Sequence, residues 1–305
     1  MTPRSFLTTV RKMPDAVASL RRFNRSFTQR IGVLDDSFLD AGRPLGEARL
    51  LFEIGSGRTS VRELRQRLGL DSGYLSRLLG ELEHDGLVSM TSDPNDRRRR
   101  LVHLTEGGRT AWRELDRRSN ALAARVVEPL TPRQRNQLVE ALATVDRLVR
   151  AATATFDVVD PSSPDALTTM TTYFAELDAR FPDGFDPGDA LVADAPSMRS
   201  PGGTFVVAHS DGDPIACGGV VGLDDATGEI KRMWVHPEWR GVGLGRRLLA
   251  ELESHVARLG YERVVLDTNG VLTEAIAMYE RAGYLPTDRY NDNPYAMHWF
   301  AKSLS

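Results

Sequence analysis

Apolar residues recur at steps of three and four positions through most of the first half of the chain. The series that begins with Val17, Leu20 and Phe23 continues at this spacing to Leu34, as it does along one face of a helix. The same spacing predicts helices over residues 13–38, 45–54, 61–68, 73–84, 108–130 and 132–152.

Two short helices in this series are joined by a tight turn at Gly69. Leucines form the inward face of the second helix, and the side chains near its start face outward: Ser72, Tyr74, Ser76 and Arg77. This pattern favours a helix-turn-helix, whose second helix enters the major groove of DNA, where Arg77 can pair with guanine. An ordinary helical hairpin fits these residues equally well.

A predicted hairpin follows, with strands over 87–90 and 101–104 and a tip that carries four consecutive arginines. A run of charge is usually only a solvated loop. Directly after a helix-turn-helix, it favours a wing that contacts the DNA backbone or the minor groove. We therefore expect Arg97, Arg98 and Arg99 to contact DNA, with Asp96 orienting Arg98 through a charge-assisted hydrogen bond.

The second half changes to short apolar runs separated by turn residues. Strands are predicted over 156–160, 204–208, 215–223, 229–235, 263–269, 284–285 and 295–301, and helices over 164–180, 246–259 and 272–282. Three of the strands follow one another as a meander of antiparallel hairpins before the later helices. The predicted class is α+β, with a mixed sheet flanked by helices.

Charge divides the chain in the same place. Residues 1–153 hold 27 Lys and Arg against 19 Asp and Glu, whereas residues 154–305 hold 12 against 23. We place a domain boundary near residue 153 and expect an anionic polymer to meet only the first domain. No apolar run is long enough to cross a membrane, so we expect a cytoplasmic protein without a membrane partner.

The single cysteine, Cys217, excludes an intramolecular disulfide and argues against a cysteine-based metal site. No histidine spacing suggests a metal, and we expect none. By default, Cys217 is a small apolar residue of a strand.

A glycine-rich loop follows the strand that ends at Val235 and opens a helix. The run Arg240-Gly-Val-Gly243-Leu-Gly245 lets the backbone turn tightly and approach a ligand, with loop amides and the helix dipole directed at an anion. A dinucleotide fold needs a different glycine spacing, and a P-loop needs Gly-Lys-Ser/Thr. A purely structural turn remains an alternative to a phosphate-binding loop.

The first half resembles the MarR family of winged-helix regulators. The resemblance rests on Asp93-Pro-Asn-Asp96-Arg97-Arg98 and on Val102-His-Leu104-Thr105-Glu-Gly-Gly108-Arg109, within residues 10–150. It implies a winged helix-turn-helix, an all-α domain with a β wing. It also implies a homodimer that pairs through its terminal helices and reads an inverted repeat in double-stranded DNA.

The second half, about 154–305, resembles the GNAT acetyltransferases. The resemblance rests on Glu229-Ile-Lys-Arg-Met-Trp-Val235, the Arg-x-x-Gly-x-Gly loop, Asn269 and Ala275-Ile-Ala-Met-Tyr279-Glu-Arg-Ala-Gly283. It implies a splayed sheet and acetyl-CoA as co-substrate. The residues implied in binding acetyl-CoA are Met233, Trp234, Val235, Arg240, Gly241, Val242, Gly243, Leu244, Gly245, Arg246 and Asn269.

The GNAT resemblance also implies a proton donor at Tyr279, which would protonate the leaving thiolate. A tyrosine in an apolar helix is otherwise a core residue. Glu229 is the candidate base or ligand of the acceptor amine; the alternative is a solvated strand start.

The sequence thus predicts a DNA-binding regulator fused to an N-acetyltransferase that acts on an amine, and it favours the amine of a small molecule over that of a protein. Two alternatives stay open. In one, the second domain only senses acyl-CoA; in the other, the winged-helix half is only a dimerisation scaffold.

Overall fold

The computed structural model of the chain describes residues 15–31, 38–57, 60–94, 96, 99–188 and 195–304. The chain forms two compact units, Met1–Arg135 and Asn136–Ser305. This division falls inside a long helix, and the functional boundary near residue 153 stays a prediction. None of the helices within the described ranges combines the length and the apolar character of a bilayer span.

The helices of the first unit largely follow the apolar spacing of the sequence. Their bounds are α1 Ala16–Arg30, α2 Leu45–Gly55, α3 Val61–Leu68, α4 Ser72–His84 and α5 Glu106–Val127, and α6 Pro132–Thr153 continues into the second unit. Helix α1 begins where the Asp15 carboxylate accepts from two backbone amides. The predicted helix over 13–38 is confirmed only for 16–30, because residues 13, 14 and 32–37 lie outside the described ranges.

Helices α3 and α4 form the predicted pair around one glycine turn. The Ser60 hydroxyl caps α3 by accepting from the Glu63 amide at 3.4 Å. Gly69 ends α3 in the left-handed conformation, which glycine adopts at little cost. The Asp71 carboxylate caps α4 by accepting from the Tyr74 amide.

The hairpin after α4 consists of β1 Val88–Ser92 and β2 Arg100–Leu104, paired antiparallel. The Thr105 side chain then caps α5 by accepting from the Gly108 amide. A Cβ at Gly108 would lie only 1.9 Å from the Leu87 carbonyl oxygen. The glycine therefore allows α5 to leave directly against the base of the hairpin.

The second unit contains one mixed sheet with helices on both faces. Its strands are β3 Thr155–Val158, β4 Thr204–Ser210, β5 Asp213–Gly222, β6 Thr227–Val235, β7 Arg263–Thr268, β8 Leu285–Pro286 and β9 His298–Ser303. Its further helices are α7 Pro164–Arg180, α8 Leu244–Arg258 and α9 Thr273–Arg281. The strand order is β3-β4-β5-β6-β7-β9-β8, and only β6 and β7 are parallel.

Alternation along β4 and β5 separates the two faces of the sheet. Val206 and Ala216 pack with α8 in the larger core, whereas Phe205 and Cys217 pack with α7 on the opposite face. Both strands are therefore buried on each side. The last predicted strand begins three residues later than expected, at His298, because residues 291–297 form a polar loop.

Candidate functional site

Strands β6 and β7 run together for only three residue pairs. Their last pair is Glu229 and Val265, after which the two strands separate. On its other side, β6 carries a bulge opposite Gly218, and Arg232 within it has a φ of 56°. The bulge increases the local twist of the strand at the point where the sheet opens.

A cavity of about 400 Å³ occupies this opening. Its walls come from β6, β7, α7, α9 and the loops 181–188 and 291–297. Residues that line it include Tyr173, Phe174, Phe181, Phe185, Asp186, Lys231, Arg232, Met233, Asp267, Asn269, Tyr279, Asn293 and Tyr295.

Tyr279, on α9, points its hydroxyl into the opening between the strands. The hydroxyl lies 4.0 Å from the Sδ atom of Met233 on β6, and the side chain is 6% exposed. Burial, followed by the nearby charge of Asp267, raises the pKa of Tyr279 above its ordinary value. The phenol is therefore protonated at neutral pH and can donate a proton.

The three glycines of the loop serve different geometric needs. Gly241 and Gly243 have φ angles of 77° and 86°, which side chains with a Cβ rarely adopt. A Cβ at Gly245 would lie 3.2 Å from the Met278 Sδ atom. The loop thus turns twice and then begins α8 in close contact with α9.

The start of α8 has the features of an anion site. No described side chain caps it, and its first turn contains no acidic residue. Over its 15 residues, the peptide dipoles align and leave partial positive charge at this end. The amides of this turn suit a pyrophosphate, so the residues present fit coenzyme A.

Two adjacent arginines of α8 have different surroundings. Arg247 donates to the carbonyl oxygens of Ala151 and Ala154 at the end of α6 and lies over the ring of Phe156. Arg246 is exposed and makes no ion pair or hydrogen bond with the described residues. Arg246 is therefore the one available to a phosphate.

The Arg240 side chain turns into the fold and not toward the glycine loop. Its Nε donates to the Val235 carbonyl oxygen at 2.9 Å, and its Nη2 lies 2.6 Å from Glu176 of α7. Burial by itself raises the pKa of Glu176, but hydrogen bonds from Arg240, Trp234 and Arg180 lower it overall. Arg240 thus fixes the end of β6 against α7.

The remaining residues implied in coenzyme binding divide by the direction of their side chains. Trp234 is buried and donates through Nε1 to Glu176 at 2.8 Å, while Met233 lines the cavity. Leu244 is buried in the core, and Val235 and Val242 pack against it. Met233 can therefore offer a ligand its side chain. Trp234, Val235, Val242 and Leu244 can offer a ligand only their backbone.

Asn269 lies at the end of β7 and lines the cavity. Its Nδ2 donates to the Tyr295 carbonyl oxygen at 2.7 Å, and its Oδ1 accepts from the Val271 amide. The side chain therefore holds the loop 291–297 in place.

Glu229 is 1% exposed and is absent from the residues that line the cavity. Its Oε1 accepts from Tyr290 and from the Nδ2 of Asn291, and its Oε2 lies 3.3 Å from Lys231. Burial raises its pKa above the ordinary value, against the effect of Lys231. Asn291 also donates to Asp267, so Glu229 reaches the cavity only through other side chains.

In the first unit, the predicted recognition helix has the expected faces. Ser72, Tyr74, Ser76 and Arg77 are exposed, and the four leucines of α4 are buried. The Arg77 guanidinium lies over the Tyr74 ring at 5.0 Å and pairs with Glu81 at 3.1 Å. These contacts hold the Arg77 guanidinium against the exposed face of α4.

At the tip of the hairpin, backbone bonds join the two strands. The Asp93 amide donates to Arg99, and the Arg99 amide donates to Asp96 at 2.8 Å. The Arg99 side chain is exposed. Arg97 and Arg98 lie outside the described residues, as does the expected contact of Arg98 with Asp96.

Comparison with known families agrees with both halves of this geometry. The sequence model of the MarR family matches residues 41–99, and that of the acetyltransferase (GNAT) family matches residues 170–284. An IAA acetyltransferase of Azospirillum brasilense is 31% identical over 121 residues, which are 39% of this chain and 78% of that protein. The chain belongs to the GNAT acetyltransferase family, and its first half is similar to the MarR family.

Two more distant similarities are found. The uncharacterized HTH-type transcriptional regulator YfiV of Bacillus subtilis is 26% identical over 114 residues, 37% of this chain and 71% of that protein. A crystal structure of an acetyltransferase from Streptococcus agalactiae is 20% identical, with a TM-score of 0.44, over 50% of this chain and 98% of that one. Of four further curated acetyltransferases, the chain spans between 29% and 52% of the length.

Sequence reasoning missed one side of the cavity, the side formed by Asp267 and two loops. Asp267 of β7 precedes Asn269 by two positions, and period-two alternation could have placed both side chains on one face. The loop residues Phe185, Asn293 and Tyr295 carry no comparable signal, because only the folded chain brings 181–188 and 291–297 together. The described residues contain no cluster of His, Cys, Asp or Glu placed to hold a metal ion.

Proposed function

We propose that the protein is a DNA-binding regulator of the MarR type fused to an acetyl-CoA-dependent N-acetyltransferase that acts on an amine. One observation carries the enzymatic part. The buried Tyr279 hydroxyl lies in the opening between β6 and β7, 4.0 Å from Met233. A core tyrosine without a chemical role has no need of a cavity in front of its hydroxyl.

We infer where the coenzyme binds from the start of α8 and from the edge of β6 that separates from β7. The uncapped start of α8 and Arg246 suit the pyrophosphate. The separated edge of β6 beyond Glu229 offers backbone groups to the pantetheine arm, as an added strand would use them. The arm then leads toward Tyr279, which we assign as the proton donor.

Acetyl-CoA supplies an acetyl group on a thioester, and the transfer forms a C–N bond while the C–S bond breaks. The chain must hold the amine beside the thioester, take up its proton and protonate the departing thiolate. Tyr279 is protonated at neutral pH and suits the last task. Glu229 stays our candidate for the base or for a ligand of the amine, acting through water.

We propose that the MarR domain binds an inverted repeat in double-stranded DNA as a homodimer. Support for DNA binding comes from the exposed face of α4 and from Arg99 on the wing. Support for the dimer comes from apolar side chains left exposed on α1, namely Val17, Leu20, Phe23 and Phe27, and on α6, namely Val139, Leu142, Val145, Leu148 and Val149. Apolar stripes of this length on helices are typical of interfaces.

Free thiol released from acetyl-CoA in the presence of an amine panel tests the enzyme directly. The protein's own thiol does not interfere, because Cys217 is buried and burial raises its pKa to about 12. Thiol release that depends on both substrates supports the proposal. Tight acetyl-CoA binding without turnover of any amine identifies a sensor instead.

A further inference from the structure

We propose that the acceptor is a primary amine that carries an aromatic ring and no carboxylate, with its ammonium group bound by Asp267. This inference rests on the proposed function and names the class of substrate for the same cavity. It follows from the charges and the shapes that the folded chain places around the cavity.

Asp267 is the anchor for the ammonium group. Its carboxylate lines the cavity and accepts from the Nδ2 atoms of Asn291 at 2.5 Å and Asn293 at 3.0 Å. Both donors are neutral amides, and Asp267 has no cationic partner among the described residues. A carboxylate held in this way can bind a cation through a charge-assisted hydrogen bond.

Two cationic side chains line the cavity, and each contacts a neighbouring group. Lys231 lies 3.3 Å from Glu229, and the Arg232 guanidinium lies over the ring of Phe174 at 5.0 Å. A second carboxylate, Asp186, also lines the cavity and has no ion pair within the described part of the chain. An acceptor with its own carboxylate would therefore place a second negative charge near Asp267 and Asp186, at a cost in electrostatic repulsion.

An aromatic wall faces this charged end. Phe174, Phe181, Phe185 and Tyr295 contact one another with ring centroids 4.7 to 5.8 Å apart. Tyr295 is fixed at both ends, since its hydroxyl accepts from the Asp186 amide and its carbonyl accepts from Asn269. Such a wall favours a flat apolar group through burial and ring contacts.

Three amines separate the features of the proposal. 2-Phenylethylamine has the ring and the ammonium group, phenylalanine adds a carboxylate, and propylamine lacks the ring. With the full chain and acetyl-CoA, we expect kcat/KM for 2-phenylethylamine to exceed that of each other amine by about tenfold or more. Propylamine loses the burial of the ring, and phenylalanine brings an uncompensated negative charge. Equal or better turnover of phenylalanine or propylamine overturns the proposal.

Two variants test which residues bind the ammonium group and the aromatic ring of the amine. Asp267→Asn should raise the KM for 2-phenylethylamine about tenfold, by loss of the charge-assisted bond, with acetyl-CoA affinity unchanged. Asp225→Asn, in the exposed turn between β5 and β6, is the matched control. Phe185→Ala should lower kcat/KM more for 2-phenylethylamine than for propylamine; an equal loss on both contradicts the aromatic wall.

Failure of this inference differs from failure of the proposed function. If other amines are acetylated in preference, the enzyme stands and the substrate class is wrong. If acetyl-CoA binds without turnover, calorimetry of the three amines with the CoA-loaded protein decides the inference, and a preference for 2-phenylethylamine upholds it. If the protein binds neither acetyl-CoA nor any of the three amines, both are refuted.

Discussion

Arg240 lies 2.6 Å from Glu176, across the space between the glycine loop and α7. The sequence motif places this arginine among the coenzyme-binding residues, yet its guanidinium is bound to a carboxylate and to the Val235 carbonyl oxygen. Its contribution to a bound coenzyme is therefore to fix the backbone from which the loop departs. The network extends to Arg180 and Glu274.

Breaking this contact should destabilise the second unit. Arg240→Gln leaves the partly buried Glu176 without its main cation, and we expect a loss of about 2 kcal/mol in the free energy of unfolding. Arg258→Gln removes the more exposed pair with Glu251 and should cost under about 1 kcal/mol. Urea unfolding can be followed by tryptophan fluorescence in a Trp112→Phe background, which leaves only tryptophans of the second unit. Equal losses would contradict the assignment.

Removal of the Tyr279 hydroxyl should slow turnover while binding persists. Tyr279→Phe keeps the buried ring and deletes the proton donor, so we expect kcat to fall about 100-fold. Calorimetric affinity for acetyl-CoA should stay within about twofold, since the change removes none of the phosphate contacts. Unchanged turnover would return Tyr279 to a packing role.

Two glycine-to-alanine variants can distinguish an effect on coenzyme binding from an effect on folding, because alanine would be equally strained at both positions. Gly243→Ala and Gly212→Ala each force a Cβ onto a φ near 86°, with no atom within 4 Å of either position, at a cost of about 1–2 kcal/mol. Only Gly243 begins α8. We expect the Kd for acetyl-CoA to rise about tenfold in Gly243→Ala and to stay unchanged in Gly212→Ala.

The contribution of Glu274 to stability should depend on pH. Hydrogen bonding from Arg180 lowers its pKa from 4.5 to about 2, so its stabilising effect is present above pH 4.5 and is lost as the pH falls toward 2. Because the side chain is 51% exposed, we expect Glu274→Gln to cost only about 1 kcal/mol at pH 7. In urea unfolding, the gap to the unmodified protein should narrow from pH 5 to pH 3. A gap independent of pH would exclude the ion pair as its source.

Substitution of Arg77 and substitution of Arg99 should weaken DNA binding in different ways. Arg77→Ala on α4 should cost about 1–3 kcal/mol on promoter DNA and relax its sequence preference. Arg99→Ala on the wing should weaken promoter and random DNA alike and reduce the salt slope by about 1. Arg22→Ala, on α1, controls for net charge. If neither wing nor helix variant differs from this control in a fluorescence-anisotropy titration, the regulator proposal fails.

Much of the fold was predictable because its signals are local. The leucine spacing of α4 predicted which face is buried, and Gly69 predicted where the pair of helices turns. The glycine loop likewise predicted the start of α8 to within two residues, at 246 against the observed Leu244, since two positions with positive φ favour glycine whatever the surroundings. Short apolar runs between turn residues predicted most of the strands of the second half to within two or three residues.

The acceptor side of the cavity was decided by tertiary structure alone. Asp267 and Phe185 are 82 positions apart in the sequence, and no local spacing relates them. Both line one cavity because β6 leaves β7 after Glu229 and because the loops 181–188 and 291–297 contribute to its walls. Such contacts arise from packing between distant segments, which the periodicity of a single segment does not encode. The sequence by itself thus determined the GNAT family, the similarity to the MarR family and the glycine loop before α8. The fold decided the direction of the Arg240 side chain and the charge and shape of the cavity between β6 and β7.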